Sequence, residues 1–328
     1  MRTLLSPLAL LVAIATFHSP IRPVGAQAPA RPGWAASRPL PAPVLFAEGV
    51  ITTPDDEMDA GFAPDGKTLY FTKDHIGQRL GVIDVSRYDG GHWRQPEVAS
   101  FSGRYTDYDP FVTADGSKLL FSSNRPTTGS QKKDFDIWMV ERAGTAWGEP
   151  KNLGAPVNTT GDEFYPTVAT DGTLYFSATR PDGKGRSDIY RSRWRVGRFD
   201  TPENLGDGVN SPATEVDSAI APDQRFIIFA GIGRPDDLGG GDLYISYQVD
   251  GVWTPARHIG AGVNSTSREY CPSVSPDGKY FFFTSFRGFG DSVPDRPWTF
   301  ADFRRGTASV LNGFGNIYQI DMAAVLDR

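Results

Sequence analysis

Apolar and polar positions change over quickly along this chain, and from about residue 44 onward no helical period is sustained. Short runs rich in aromatic and β-branched side chains recur instead: "TLYFT", "KLLFSS", "TLYFSA", "FIIFA" and "YFFFTS". That composition suits pleated strands. Each run follows a turn signal opened by Asp65, Asp115, Asp171, Asp223 or Asp277, and these recur at intervals of 50 to 56 residues. In four turns a glycine follows, ready for positive φ. Gln224 takes that place in the fourth, so a different turn is expected there. A period of this size means a solenoid or a propeller.

Each unit reads as four strands. A short strand enters the turn, as in "EFYPTVATDG". The aromatic strand follows. A polar loop leads to a third strand, such as "FDIWMVER" or "GDLYISYQ". A fourth begins near "WGEPKNLG" or "WTPARHIG". Four strands repeated radially make a propeller blade. The fifth unit stops after its third strand, at Asp321. The N-terminal "APVLFAEGVITT" resembles "EPKNLGAPVNTT", a fourth strand and its exit. The N-terminal strand is therefore expected to complete the last blade and remove an exposed edge. The expected fold is all-β, a five-bladed β-propeller over residues 44–328. Six blades is the alternative, with one degenerate unit hidden after Phe286.

Residues 1–26 read as an export signal. Arg2 starts it, "LALLVAIATF" is an apolar run too short to span a bilayer, and "VGAQA" offers small residues for cleavage. Residues 27–43, rich in Pro and Ala, read as an extended linker with no core of its own. A periplasmic or secreted location follows. Cys271 is the single cysteine, so no intramolecular disulfide can form and the core must hold the fold. It lies in an inner strand and reads as a small buried apolar residue. The net charge of −6 argues against nucleic acid. No other segment is apolar and long enough to cross a membrane, and a soluble monomer is expected.

The third unit carries Glu163, Tyr165, Pro166, Asp171, Gly172, Tyr175, Phe176, Arg180, Asp188, Ile189 and Tyr190. This pattern resembles the WD40-like (PD40) repeats of TolB-type periplasmic proteins, over about residues 42 to 323. The resemblance implies a propeller and leaves function open, because propellers host binding, scaffolding and catalysis alike.

Two rings of charge fall on the face where each first strand begins. One is Glu57, Asp107, Glu163, Glu215 and Glu269. The other is Arg125, Arg180, Arg234 and Arg287, with Lys73 in that place in the first unit. Asp59, Asp109 and Asp217 lie two residues beyond the first ring, where the other units have Tyr165 and Cys271. One reading pairs the rings with each other across neighbouring blades. The other makes them a polar ligand funnel, in which clustered carboxylates hold a proton or a cation. Ca²⁺ would suit such oxygen ligands, though no cofactor is required. Two carboxylates could also serve a glycosidase as acid and as base or nucleophile, but the repeat nominates no pair.

Trp93, Trp147 and Trp253, with Phe199, recur at the start of the fourth strand and read as packing between blades. His75, His92 and His258 show no metal-type spacing. The loop from Arg287 to Gly315 breaks the symmetry. It carries Trp298, Phe303, Arg304 and Arg305, an aromatic and arginine mix typical of interface anchors. It is expected to fold over the funnel and set partner choice. The sequence thus points to an exported binding or scaffold module for an envelope protein or glycan. A glycoside-acting enzyme is the alternative.

Overall fold

The computed structural model describes residues 31–75, 80–128 and 134–326. The expected export signal and the His75 side chain lie outside the described residues. Five antiparallel blades follow one another. Their first three strands are Asp56–Phe62, Thr68–His75 and Leu80–Asp89 in blade one, and Asp107–Val112, Lys118–Ser123 and Asp136–Ala143 in blade two. Blade three has Glu163–Val168, Leu174–Ala178 and Asp188–Ser192. Blade four has Thr214–Ile220, Phe226–Ile232 and Asp242–Val249. Blade five has Glu269–Val274, Tyr280–Ser285 and Asn316–Asp321. The fourth strands are only two residues long, such as Lys151–Asn152, which pairs with the third strand of its blade.

The N-terminal strand Val44–Leu45 completes blade five, with Val44 opposite Gln319 and Leu45 opposite Tyr318. Part of the stretch expected to be a linker also joins the fold. Trp34 and Leu40 are buried. Leu40 N donates to Asp321 Oδ2 at 2.7 Å, and Asp321 N donates to the Leu40 carbonyl at 2.9 Å.

The second strands are buried on both faces because each is sandwiched between neighbouring blades. Leu69, Phe71, Leu119, Phe121, Phe281 and Phe283 are all inaccessible to solvent, and the intervening Tyr70, Leu120 and Phe282 on the opposite faces are buried too. The core is a set of clusters between blades rather than one central mass. Trp147 Nε1 donates to the Tyr70 hydroxyl of blade one at 2.8 Å, consistent with interblade packing at the fourth-strand position.

The turn with Gln224 does not differ from the others. Gln224 takes φ 61°, and its N–H donates to the Ala221 carbonyl, as Gly172 N–H does to Ala169. Side-chain bonds hold this strained conformation. Gln224 Oε1 accepts from the Tyr175 hydroxyl at 2.7 Å, and Nε2 donates to Asp171 Oδ2 at 2.9 Å.

Candidate binding site on the propeller axis

The two charged rings meet, but within a blade rather than across neighbouring ones. Glu57, Asp107, Glu163, Glu215 and Glu269 are all fully buried. Each faces a cation of its own blade, Lys73 near the end of the second strand in blade one and an arginine just after it in the others. The separations are 3.4 Å to Lys73, 2.8 Å to Arg125, 3.8 Å to Arg180, 2.9 Å to Arg234 and 3.1 Å to Arg287. The arginines also donate to carbonyls of the loop entering the blade, at Phe101, Val157, Val209 and Val263.

The same loops cap the carboxylates. Thr159 N donates to Glu163 Oε2 at 3.0 Å and its hydroxyl donates to Oε1 at 2.6 Å. Thr53, Ser211 and Ser265 repeat this at Glu57, Glu215 and Glu269, while the Ser102 hydroxyl donates to Asp107. Burial nevertheless pushes the Glu57 and Glu163 carboxyls above their usual range. These oxygens are taken up by the protein itself. The rings are blade-entry clamps, and an open ligand funnel built from them is not what the geometry supports.

The long loop forms a helix, Phe300–Thr307, with a capping box at Thr299 and no buried residue. Trp298 stacks on Phe289 at 4.2 Å, and Phe303 meets Phe289 edge-on at 6.1 Å. Trp298, Phe303 and Arg304 remain exposed. The loop is tied to the entries of blades one and five. Asn312 Nδ2 donates to the Pro54 carbonyl at 2.7 Å, and the Ser267 hydroxyl donates to Asp291 at 2.9 Å.

A second belt lies two residues along each inner strand. Asp59, Asp109, Tyr165, Asp217 and Cys271 all have positive φ, between 51° and 61°. In every blade the pairing register slips at this point, for example between Met58 and Gly61. The repeat therefore carries a β-bulge that aims one side chain differently from its neighbours. Asp tolerates left-handed backbone better than Tyr or Cys.

The belt is bonded from blade to blade. Asp109 N approaches Asp59 Oδ2 at 3.4 Å, and Asp109 Oδ2 accepts from Tyr165 N at 2.9 Å and the Ser122 hydroxyl at 2.6 Å. The Tyr165 hydroxyl reaches the Pro272 carbonyl of blade five at 2.9 Å. The Cys271 thiol lies 3.8 Å from Asp217 Oδ2. Cys271 is buried, as expected.

Burial lifts the Asp59 carboxyl to about 7, helped by the charge of Asp217, with Cys271, Thr72 and the Asp109 N–H pulling the other way. Burial, then Asp59 and Asp217, raises Asp109 well above the carboxylate range. Asp217 is raised by burial against the opposing charge of Arg268. Among the described residues no lysine or arginine forms an ion pair with Asp59 or Asp109. Asp59 Oδ1 is buried and accepts no hydrogen bond.

Asp59, Asp109 and Tyr165 line the deep end of a cavity of about 480 Å³. Its walls include Phe62, Phe111, Ile220 and Val274, and Trp34 joins them from the N-terminal segment. Its mouth is set by the turns at Pro64, Ala114, Thr170, Pro222 and Pro276. The cavity thus opens at the end of the propeller opposite the charged rings and the long loop. Its volume lies in the usual small-ligand range. Among the described residues no three His, Cys, Asp or Glu side chains are grouped to hold a metal ion.

Fold and site together define a five-bladed propeller with an acidic, apolar-walled axial cavity. No family model matches the sequence, and no curated protein matches it. Solved structures do. An α-L-arabinofuranosidase from Lactobacillus brevis is 12% identical, with a TM-score of 0.53, covering 84% of this chain and 93% of that one. TolB from Acinetobacter baumannii is 14% identical with a TM-score of 0.45 over 81% of this chain. The match takes in 54% of TolB, about half its length. A thermostable family-43 glycoside hydrolase is 13% identical with a TM-score of 0.47, covering 73% and 86%. At these identities the likeness is one of fold.

Proposed function

We propose that this protein is an exported binding module of the cell envelope, and that it takes its ligand in the axial cavity. The cavity carries this reading: a concave apolar space with a few polar groups converging at its deep end is the usual form of a small-ligand site. An envelope glycan end or a protein side chain would enter between the turns. No helix among the described residues is long and apolar enough to cross a membrane. Export rests on the N-terminal sequence pattern.

The test is a thermal-shift and calorimetric screen of envelope sugars, peptides and small metabolites. The control is an Ala114→Trp/Thr170→Trp variant, which places bulk at the exposed mouth. Ligands that bind the natural protein and not the variant support the reading. Ligands that bind both equally place recognition elsewhere.

A glycoside-acting enzyme is the second reading, favoured by Asp59 and Asp109 facing one cavity. Such chemistry needs one carboxyl protonated and one ionised. Turnover of aryl glycosides that is lost in Asp59→Asn or Asp109→Asn would support it.

A further inference from the structure

The axial cavity combines two features that rarely coexist without a reason. Its walls are aromatic and aliphatic, while its deep end holds two carboxylates that have no cationic partner among the described residues. Asp59 is 97% buried in the sense that only 3% of it is exposed, and its Oδ1 is unpartnered. An unpaired ionised carboxylate in such a place is costly, and the cost falls when a positive charge arrives. The blade-entry carboxylates behave differently, for each of those already has its own lysine or arginine.

We infer that the axial cavity binds an organic ammonium ion, with its charged head between Asp59 and Asp109 and its apolar body against Phe62, Phe111 and Trp34. The inference deepens the cavity reading above and rests on it. The volume far exceeds what a bare cation needs, and the aromatic walls favour a cation carrying an apolar tail. A metal ion is a poorer fit, since no three metal-type ligands are grouped there among the described residues. The backbone also helps. Tyr165 N and Ser122 Oγ hold one oxygen of Asp109, which fixes the carboxylate rather than leaving it free to turn away.

Isothermal titration at pH 8 with 2-phenylethylammonium and its neutral counterpart 2-phenylethanol tests this. At that pH Asp59, which titrates near 7, is mostly ionised. The ammonium is expected to bind at least tenfold tighter than the alcohol. The Asp59→Asn/Asp109→Asn variant should erase that preference, bringing the affinities of the two probes to within about twofold of each other. Asn keeps the shape and tolerates the positive φ, so this variant is expected to fold, and its circular dichroism checks that it does.

Equal binding of the two probes, lost in the Ala114→Trp/Thr170→Trp variant, overturns the ammonium inference and leaves the cavity reading standing. Ammonium binding that survives both variants overturns the inference by placing the cation elsewhere. Failure of the ammonium to bind at millimolar concentration also overturns it, and the wider ligand screen then decides the cavity reading separately.

Discussion

Val44 lies opposite Gln319, so the two ends of the propeller share one sheet. Around this pair the N-terminal segment is sewn in by more than its strand. Gln319 Nε2 donates to the Trp34 carbonyl at 2.5 Å, and the Thr52 hydroxyl donates to the Phe46 carbonyl at 2.7 Å. Phe46 is 4% exposed and meets Phe62, Trp93 and Phe282 with ring centroids 5.2 to 5.9 Å apart.

The closure should therefore contribute strongly to stability. Phe46→Ala is expected to cost about 3–5 kcal/mol through lost burial and the cavity left behind. Urea denaturation followed by tryptophan fluorescence would measure it. A cost below about 1 kcal/mol would mean that the propeller closes without this strand.

The ion pairs make a graded prediction. Arg125→Met leaves Asp107 buried without its partner and should cost about 3–5 kcal/mol. Lys73→Met should cost less, about 1–2 kcal/mol. Lys73 is more exposed, lies farther from its carboxylate and shares its charge with the exposed Asp55. Neither change should alter ligand affinity in the axial cavity by more than about twofold, since both lie at the opposite end. Calorimetry and chemical denaturation of the same preparations test both halves.

The sequence made some of this plain and hid the rest for physical reasons. The Asp-Gly turns and aromatic strands are local signals, so the blade count was legible. So was the closing strand, because "APVLFAEGVITT" from Ala42 resembles "EPKNLGAPVNTT" from Glu149, a fourth strand and its exit. Thr53 caps Glu57 as Thr159 caps Glu163. The partners of the rings were less visible, since spacing shows which face a charge is on but not which loop carbonyl will claim it. The bulge at Asp59 was hidden because no glycine marks it. Trp34 was masked by its Pro- and Ala-rich surroundings, which suggested a linker. The cavity needs all five blades at once, and no single repeat announces it.

The acidic belt sets a pH dependence whose direction is fixed. The folded Asp59 carboxyl titrates near 7 against an ordinary value of 3.8. Between these values the folded protein holds a proton that the unfolded chain has released. Stability is therefore greatest at the acid end of that window and falls as pH rises toward 7. Asp59→Asn removes the cost of ionisation. It should stabilise the protein on the order of 2–4 kcal/mol more at pH 8 than at pH 5, with part of the effect shared by the neighbouring Asp109 and Asp217. Parallel urea titrations of both proteins at the two pH values check this. A wild-type stability that rises from pH 5 to pH 8, with the variant following in parallel, would contradict it.

The long loop gives the last prediction. The helix Phe300–Thr307 buries none of its residues, and Phe300 is 79% exposed. Its aromatic contacts, Phe289 with Trp298 and Phe303, are internal to the loop. Replacing residues 288–313 by a short Gly-Ser linker removes the exposed bonds from Asn312 to Pro54 and from Ser267 to Asp291 but keeps the bond from Gly315 N to Asp56 Oδ1. The change should cost no more than about 1 kcal/mol. It should also leave cavity affinity unchanged, since the loop is tied to the blade-entry end. Cross-linking in the native cells then separates two roles for the exposed aromatics. A protein partner captured by the full chain and lost with the replacement makes the loop a second recognition surface. The same partner captured by both assigns recognition to the blades themselves.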